Sequence, residues 1–172
     1  MRWMWIDRIV ELVPRERLVA IKNVSLAEEH LHDHFQATGS RPAVPIMPAS
    51  LIIEGMAQTA GILVGHAGSF KEKVVLAKVS SVELSHDATP GTTLRYTAAI
   101  ERLDHIGAST RGTVELLDHA APSPAFETIG TIDLMFSHVD QNLAGAQFPE
   151  HNFVFSDAFR TLLRTSGLHA DF

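Results

Sequence analysis

The spacing of apolar and polar positions divides this 172-residue chain into a strand, a buried helix, a run of strands and a tail of different character. Residues 17–24 are rich in β-formers and lead into polar residues, which predicts a first strand. Residues 25–45 read as a long loop holding His30, His32 and His34. Pro48, a favoured first-turn residue, then opens a helix predicted to run to about Gly65. That helix is apolar on nearly every side, which marks it as enclosed by other elements. Ser50, Glu54 and Gln58 recur at helical spacing and form one polar stripe along it. Gly55, Ala57, Ala60 and Gly61 permit close backbone approach elsewhere on its surface.

After the helix the period shortens to two. Residues 74–84 read as a strand, and Pro90-Gly91 as a turn. Over residues 93–102, Leu94, Tyr96, Ala98 and Ile100 face one way and Arg95, Thr97 and Glu101 the other. Residues 108–117 and 126–136 follow as further strands, the second with Ile132, Leu134 and Phe136 on one face. A strand, a buried helix and then antiparallel strands imply an α+β domain whose curved sheet wraps one helix. The domain is expected over residues 1–139. Residues 140–172 form a C-terminal extension, packed on the same domain or on a partner subunit. Within it Ser156 is placed to cap a short helix through Arg164, with Phe159, Leu162 and Leu163 on the apolar side.

Composition narrows the function classes. Apolar residues at 45% and charged residues at 20% are ordinary for a soluble globular protein. The absence of cysteine excludes disulfides and thiolate metal sites and suits a reducing cytoplasm, the expected compartment. A net charge of −6 argues against nucleic acid as a partner. The apolar opening of the chain meets Asp7 and Arg8 too soon for a secretory segment. The run over residues 43–64 is broken by Pro45, Pro48, Glu54 and Gln58. A membrane span needs roughly 20 uninterrupted apolar residues, so none is expected.

Glu54 carries the candidate chemistry. A carboxylate in the most apolar stretch of the chain costs several kcal/mol unless something uses it. Lysine and arginine are absent between Arg41 and Lys71, so an ion-pair partner must come from far along the chain. Upstream lies His34-Phe35, and an acid and a base so placed suggest proton transfer in an apolar pocket. A structural carboxylate is the alternative, and Gln58 reads as its hydrogen-bonding neighbour. His30, His32 and His34 would share a face on a strand, as a metal site needs. Their spacing offers no fourth ligand, and no metal is expected.

His34-Phe35, followed by Pro45-Ile46-Met47-Pro48-Ala49-Ser50-Leu51-Ile52-Ile53-Glu54-Gly55-Met56-Ala57-Gln58, resembles the active-site segment of the 3-hydroxyacyl-acyl-carrier-protein dehydratases. That family's pattern is His-Phe-Pro, a short link, then Pro-Val-x-Pro-Gly-x-Leu-x-x-Glu-Ala-Met-Ala-Gln. Residues 6–12, 19–24, 76–79 and 89–94 also resemble it, so the likeness covers about residues 5–137 and omits the tail. The resemblance implies the hotdog fold, in which an antiparallel sheet wraps a long helix. It implies a homodimer or a higher assembly of dimers, with active sites between protomers and His34 of one facing Glu54 of the other across an acyl tunnel.

The implied activity is dehydration of a (3R)-3-hydroxyacyl thioester of acyl carrier protein to the trans-2-enoyl thioester, in fatty acid biosynthesis. His34 would take the C2 proton and Glu54 would protonate the departing hydroxyl. Phe35, Pro48, Ala49, Ser50 and Gln58 would contact or orient the substrate, with no metal or organic cofactor. Helix-start N–H groups at Ala49 and Ser50 would meet charge on the thioester oxygen. An acidic carrier needs a local basic patch, for which Arg41, Lys71 and Lys73 are candidates.

This chain departs from the pattern at four places. The link from His34 to Pro45 is longer by about six residues, within residues 36–41, with His32 as the fallback base. Gln36 replaces proline, Ala49 replaces glycine and Gly55 replaces alanine. Two other readings of the same fold are an acyl thioesterase and a non-catalytic acyl-binding or regulatory subunit.

Overall fold

The structure, a computed structural model, describes residues 3–139, 152 and 154–168, without the side chains of His32 and Asp33. Its elements in chain order are β1 (Arg8–Val13), β2 (Arg17–Asn23), α1 (Glu29–Asp33), α2 (Ala49–Ala67), β3 (Val74–Leu84), β4 (Thr92–Leu103), β5 (Gly107–Asp118), β6 (Phe126–His138) and α3 (Asp157–Thr165). The six strands form one antiparallel sheet in the order β1-β2-β4-β5-β6-β3. Between β2 and β3 the chain crosses to the far edge, and α2 makes that crossing against the sheet. The fold is α+β, a hotdog.

Alternation on the central strands builds the core. Leu94, Tyr96 and Ala98 of β4, Val114 of β5 and Ile132, Leu134 and Phe136 of β6 are buried with Ile52, Met56, Ala60, Ile62 and Leu63 of α2. Ile100 is only half-buried, because the register slips between Ile100 and Arg102 and the alternation ends there. Two glycines let helix and sheet close on each other. A Cβ at Gly112 would lie 2.5 Å from Met56 Sδ, and one at Gly55 would lie 2.7 Å from the Tyr96 ring and hydroxyl and 2.9 Å from the Trp5 carbonyl.

The structure corrects several sequence expectations. A strand, β1, precedes the one read as first, although its sequence, Arg-Ile-Val-Glu-Leu-Val, is rich in β-formers. The long loop contains the one-turn helix α1. Helix α2 is not enclosed all round: Ala49 and Ser50 are exposed, and Ile53, Glu54 and Gly61 are half-buried. Its uncovered side faces the same way as an uncovered stretch of β3, an edge strand. Leu76, Val79 and Val82 pair in register with Phe136, Leu134 and Ile132, on the helix side of the sheet, yet remain 41%, 40% and 37% exposed.

The described part of the extension folds back onto the domain. Asn152 donates from Nδ2 to the carbonyls of Phe70 and Glu72 at 2.9 and 3.0 Å. Phe155 is buried where a Cβ at Gly65 would otherwise sit. Leu162 and Leu163 are buried, and Ile9 N–H donates to Ser166 Oγ at 3.0 Å. Ser156 occupies the N-cap position of α3, but its hydroxyl makes no capping bond. Among the described residues, no helix is long and apolar enough to cross a membrane.

Candidate active site

The loop carrying His34 is fixed from below by Lys22. This lysine is only 5% exposed, and its Nζ lies 2.6 Å from Glu28 Oε1 and 2.9 Å from the Asn23 carbonyl. Glu28 in turn accepts from Ser25 N–H and stands at the start of α1. His34 caps the other end of α1, and its Nδ1 lies 2.5 Å from the Ile46 carbonyl. A carbonyl only accepts, so Nδ1 is the donor to it and Nε2 is the ring nitrogen left without that bond. Phe35 adopts φ 55°, a left-handed conformation rare for a bulky residue, and its ring centroid lies 4.3 Å from that of His34.

Residues 36–43 form an excursion beside this arrangement. Val44 N–H donates to the Phe35 carbonyl at 3.0 Å, closing the base of the excursion. Thr38 and Arg41 exchange backbone bonds across it, and the Arg41 guanidinium lies 5.4 Å from the Phe35 ring centroid. His34, Phe35, Ile46, Met47 and Ala49 line one cavity of about 410 Å³. Pro48 accepts from Leu51 and Ile52 N–H at 2.9 and 3.3 Å. The N–H groups of Ala49 and Ser50, ahead of those donors, lie outside the intrahelical ladder.

Glu54 faces a second cavity of about 280 Å³ with Gln58, Gly61, Val75, Phe155 and Phe159. Its Oε1 accepts from Gln58 Nε2 at 2.9 Å. The same Gln58 nitrogen donates to the Trp3 carbonyl at 2.9 Å, and its oxygen accepts from Trp5 N–H at 2.8 Å. The amide therefore ties the amino-terminal segment across α2 and holds one carboxylate oxygen. In the single subunit Glu54 is half-buried rather than withdrawn from water. The two cavities share no lining residue, so His34 and Glu54 open onto different cavities of the single chain. A larger cavity, about 570 Å³, opens beside Ile106 and Met135 and contains neither.

The strand that a shared histidine face would need is replaced by the helix α1. α1 is a helix, where residues two apart diverge, and the His30 ring lies 5.0 Å from that of Trp5. Burial pulls the His30 pKa down, and its Nε2 has no hydrogen-bond partner. The His32 side chain lies outside the described residues. Of the three candidate docking cations, Arg41 and Lys71 are exposed, whereas Lys73 is 6% exposed and is no surface group. Sequence reasoning missed the Trp3 and Trp5 strap, which a pair of tryptophans so close together near the start of the sequence could have signalled. It also missed the tail residues at the Glu54 cavity, which carry no motif.

A family model described as a FabA-like domain matches residues 2–117, more than half of the chain. A 3-hydroxyacyl-[acyl-carrier-protein] dehydratase FabZ from Geobacter metallireducens is 41% identical over 100 residues, covering 56% of this chain and 63% of that protein. One of the same name from Oenococcus oeni is 32% identical over 135 residues, covering 77% and 86%. The chain spans 59–66% of the length of the first curated relatives it matches. Among solved structures, the dehydratase heterocomplex ApeI:P from Xenorhabdus doucetiae superposes with a TM-score of 0.57 at 18% identity, over 79% of this chain and 83% of that one. An acyl-CoA hydrolase mutant from Staphylococcus aureus gives 0.54 at 16% identity, over 88% of each chain.

Proposed function

We propose that this chain, which belongs to the FabA-like domain family, dehydrates (3R)-3-hydroxyacyl thioesters of acyl carrier protein to trans-2-enoyl thioesters in fatty acid biosynthesis. The observation that carries the reading is the His34 hydrogen bond. With Nδ1 committed to the Ile46 carbonyl, Nε2 is the nitrogen left to act as base in a cavity that Ala49, at the start of α2, also lines.

The reaction divides between two protomers. The eleven-residue edge strand β3 and its uncovered apolar side chains support pairing with a second copy. Such a dimer buries the open side of α2 and sets Glu54 of one copy against the His34 loop of the other. His34 Nε2 takes the C2 proton of the substrate, which the thioester carbonyl makes acidic. Charge that develops on the carbonyl oxygen is met by the Ala49 and Ser50 N–H groups at the positive end of α2. Glu54, protonated and fixed at Oε1 by Gln58, gives its proton to the 3-hydroxyl, which leaves as water. Exposed Arg41, stacked over Phe35 beside the His34 cavity, offers a contact for the acidic carrier. A chain without cysteine suits the reducing cytoplasm, the proposed compartment.

The test is appearance of the conjugated enoyl thioester by ultraviolet absorbance from a 3-hydroxyacyl carrier thioester. Wild type should form it, and Glu54→Gln should not at a comparable rate. Release of free carrier thiol without a new double bond would replace dehydration by hydrolysis.

A further inference from the structure

The cavity beside Glu54 runs along one side of α2 and ends on the C-terminal extension. Glu54, Gln58 and Gly61 line it at helical spacing, and Phe155 closes over Gly65 one turn further on. From Glu54 to Ile62, the last residue of α2 that lines the cavity, the helix rises ~12 Å. That length accepts roughly nine extended methylenes beyond a C3 held at Glu54, about a dozen carbons in all at ordinary carbon–carbon bond lengths. Gly61 leaves the middle of the path open, where a Cβ would only just reach ordinary contact with Phe136, at 3.6 Å.

The far end is built from aromatic rings held on both sides. Phe155 packs edge-on to Phe70 with centroids 4.9 Å apart, and Phe159 packs edge-on to Phe155 at 5.8 Å. Asn152 anchors the segment before them on the Phe70 and Glu72 carbonyls, while buried Leu162 and Leu163 anchor the helix after them. Asn152, Phe155, Phe159, Leu162 and Leu163 all lie beyond residue 117, where the family match ends.

We propose that Phe155 and Phe159 of the C-terminal extension form the end wall of the acyl channel and set its length limit at medium chains. The inference rests on the acyl-thioester reading and adds the substrate class to it. A saturated chain entering past Glu54 would lie against Gly61 and stop at the two rings.

Binding of S-acyl pantetheine thioesters to the full chain, measured by calorimetry with butanoyl, dodecanoyl and hexadecanoyl groups, tests the wall without needing turnover. Wild type should bind dodecanoyl more tightly than either of the others. Phe159→Ala should raise the hexadecanoyl-to-dodecanoyl affinity ratio about tenfold or more, since hydrophobic pockets discriminate at that scale per chain increment. Gly61→Leu, which fills the middle of the path with a good helix former, should lower the dodecanoyl-to-butanoyl ratio by a similar factor. Wild type that binds hexadecanoyl as tightly as dodecanoyl, or none of the three, overturns the wall. So do ratios unchanged in either folded variant. Intact chain-length ratios with no enoyl formation would remove the dehydratase reading and leave the wall in place.

Discussion

Gln58 Nε2 donates to Glu54 Oε1 over 2.9 Å, while the same side chain holds the backbones of Trp3 and Trp5. One amide thus couples the carboxylate to the amino-terminal segment. Gln58→Leu keeps the volume but leaves the Trp5 N–H and the Trp3 carbonyl without partners, at roughly 1–3 kcal/mol for each group that stays buried. The expected outcome is a lower Tm together with reduced kcat at little-changed KM, because Glu54 loses its fixed orientation. A kcat equal to wild type in the folded variant would show that the amide serves the strap alone.

His34→Ala and Glu54→Gln should each lower turnover by ~100-fold or more. Mixing them distinguishes a site shared between copies from one within a chain. If the pair meets across a dimer, each mixed dimer regains one intact site. Unfolding and refolding an equal mixture should then restore about a quarter of wild-type activity by random pairing of two-fold-related copies. A mixture as inactive as its components would place both groups of each site in one chain.

Gly55→Ala should destabilise the protein even though the resembling dehydratases have alanine at this position. Helix propensity alone would favour alanine by about 1 kcal/mol. Here the new methyl meets the Tyr96 ring and hydroxyl at 2.7 Å and the Trp5 carbonyl at 2.9 Å, and overpacking costs about 1–3 kcal/mol. Tyr96→Phe should recover part of the loss in the double variant. Alone it should be close to neutral, since the Tyr96 hydroxyl is buried without a partner. Urea midpoints for the four proteins check this.

Burial lowers the pKa of both His30 and His66 below the ordinary 6.5. Above that value each ring is neutral in both states and the stability is intact. As pH falls below it the unfolded chain takes up the proton first, so stability declines with acidification. Tm should therefore fall as pH drops from about 7.5 to about 5.5, spanning the ordinary histidine range. His66→Phe should shallow that slope, because the His66 Nδ1 is buried without a partner beside Phe70. An unchanged slope would assign the acid sensitivity elsewhere.

Much of the fold was legible because its signals are local. Alternation over β4 and β6 located the buried faces, and the proline start with the continuous apolar run located α2 within about two residues. β1 was missed although Ile9, Val10, Leu12 and Val13 are β-formers, because they come in pairs and do not alternate with polar residues. The enclosure of α2 was overstated because composition does not tell which side another copy of the chain could cover. The motif singled out His34, Glu54 and Gln58, but the bonds that orient them come from Ile46, Trp3 and Trp5, whose backbones do this work. Backbone carbonyls leave no mark in a sequence. The tail rings at the Glu54 cavity were equally invisible, since their place depends on Gly65 and on anchors far along the chain.

The hairpin between Phe35 and Val44 is closed at its base by a single backbone bond and braced by the Thr38–Arg41 pair. Arg41 reaches back from it over the Phe35 ring, which packs against the His34 imidazole, so the excursion is tied to that ring. A fluorophore grafted at Gly39, where an added side chain meets nothing within 4 Å, would therefore report on any ligand that shifts the histidine.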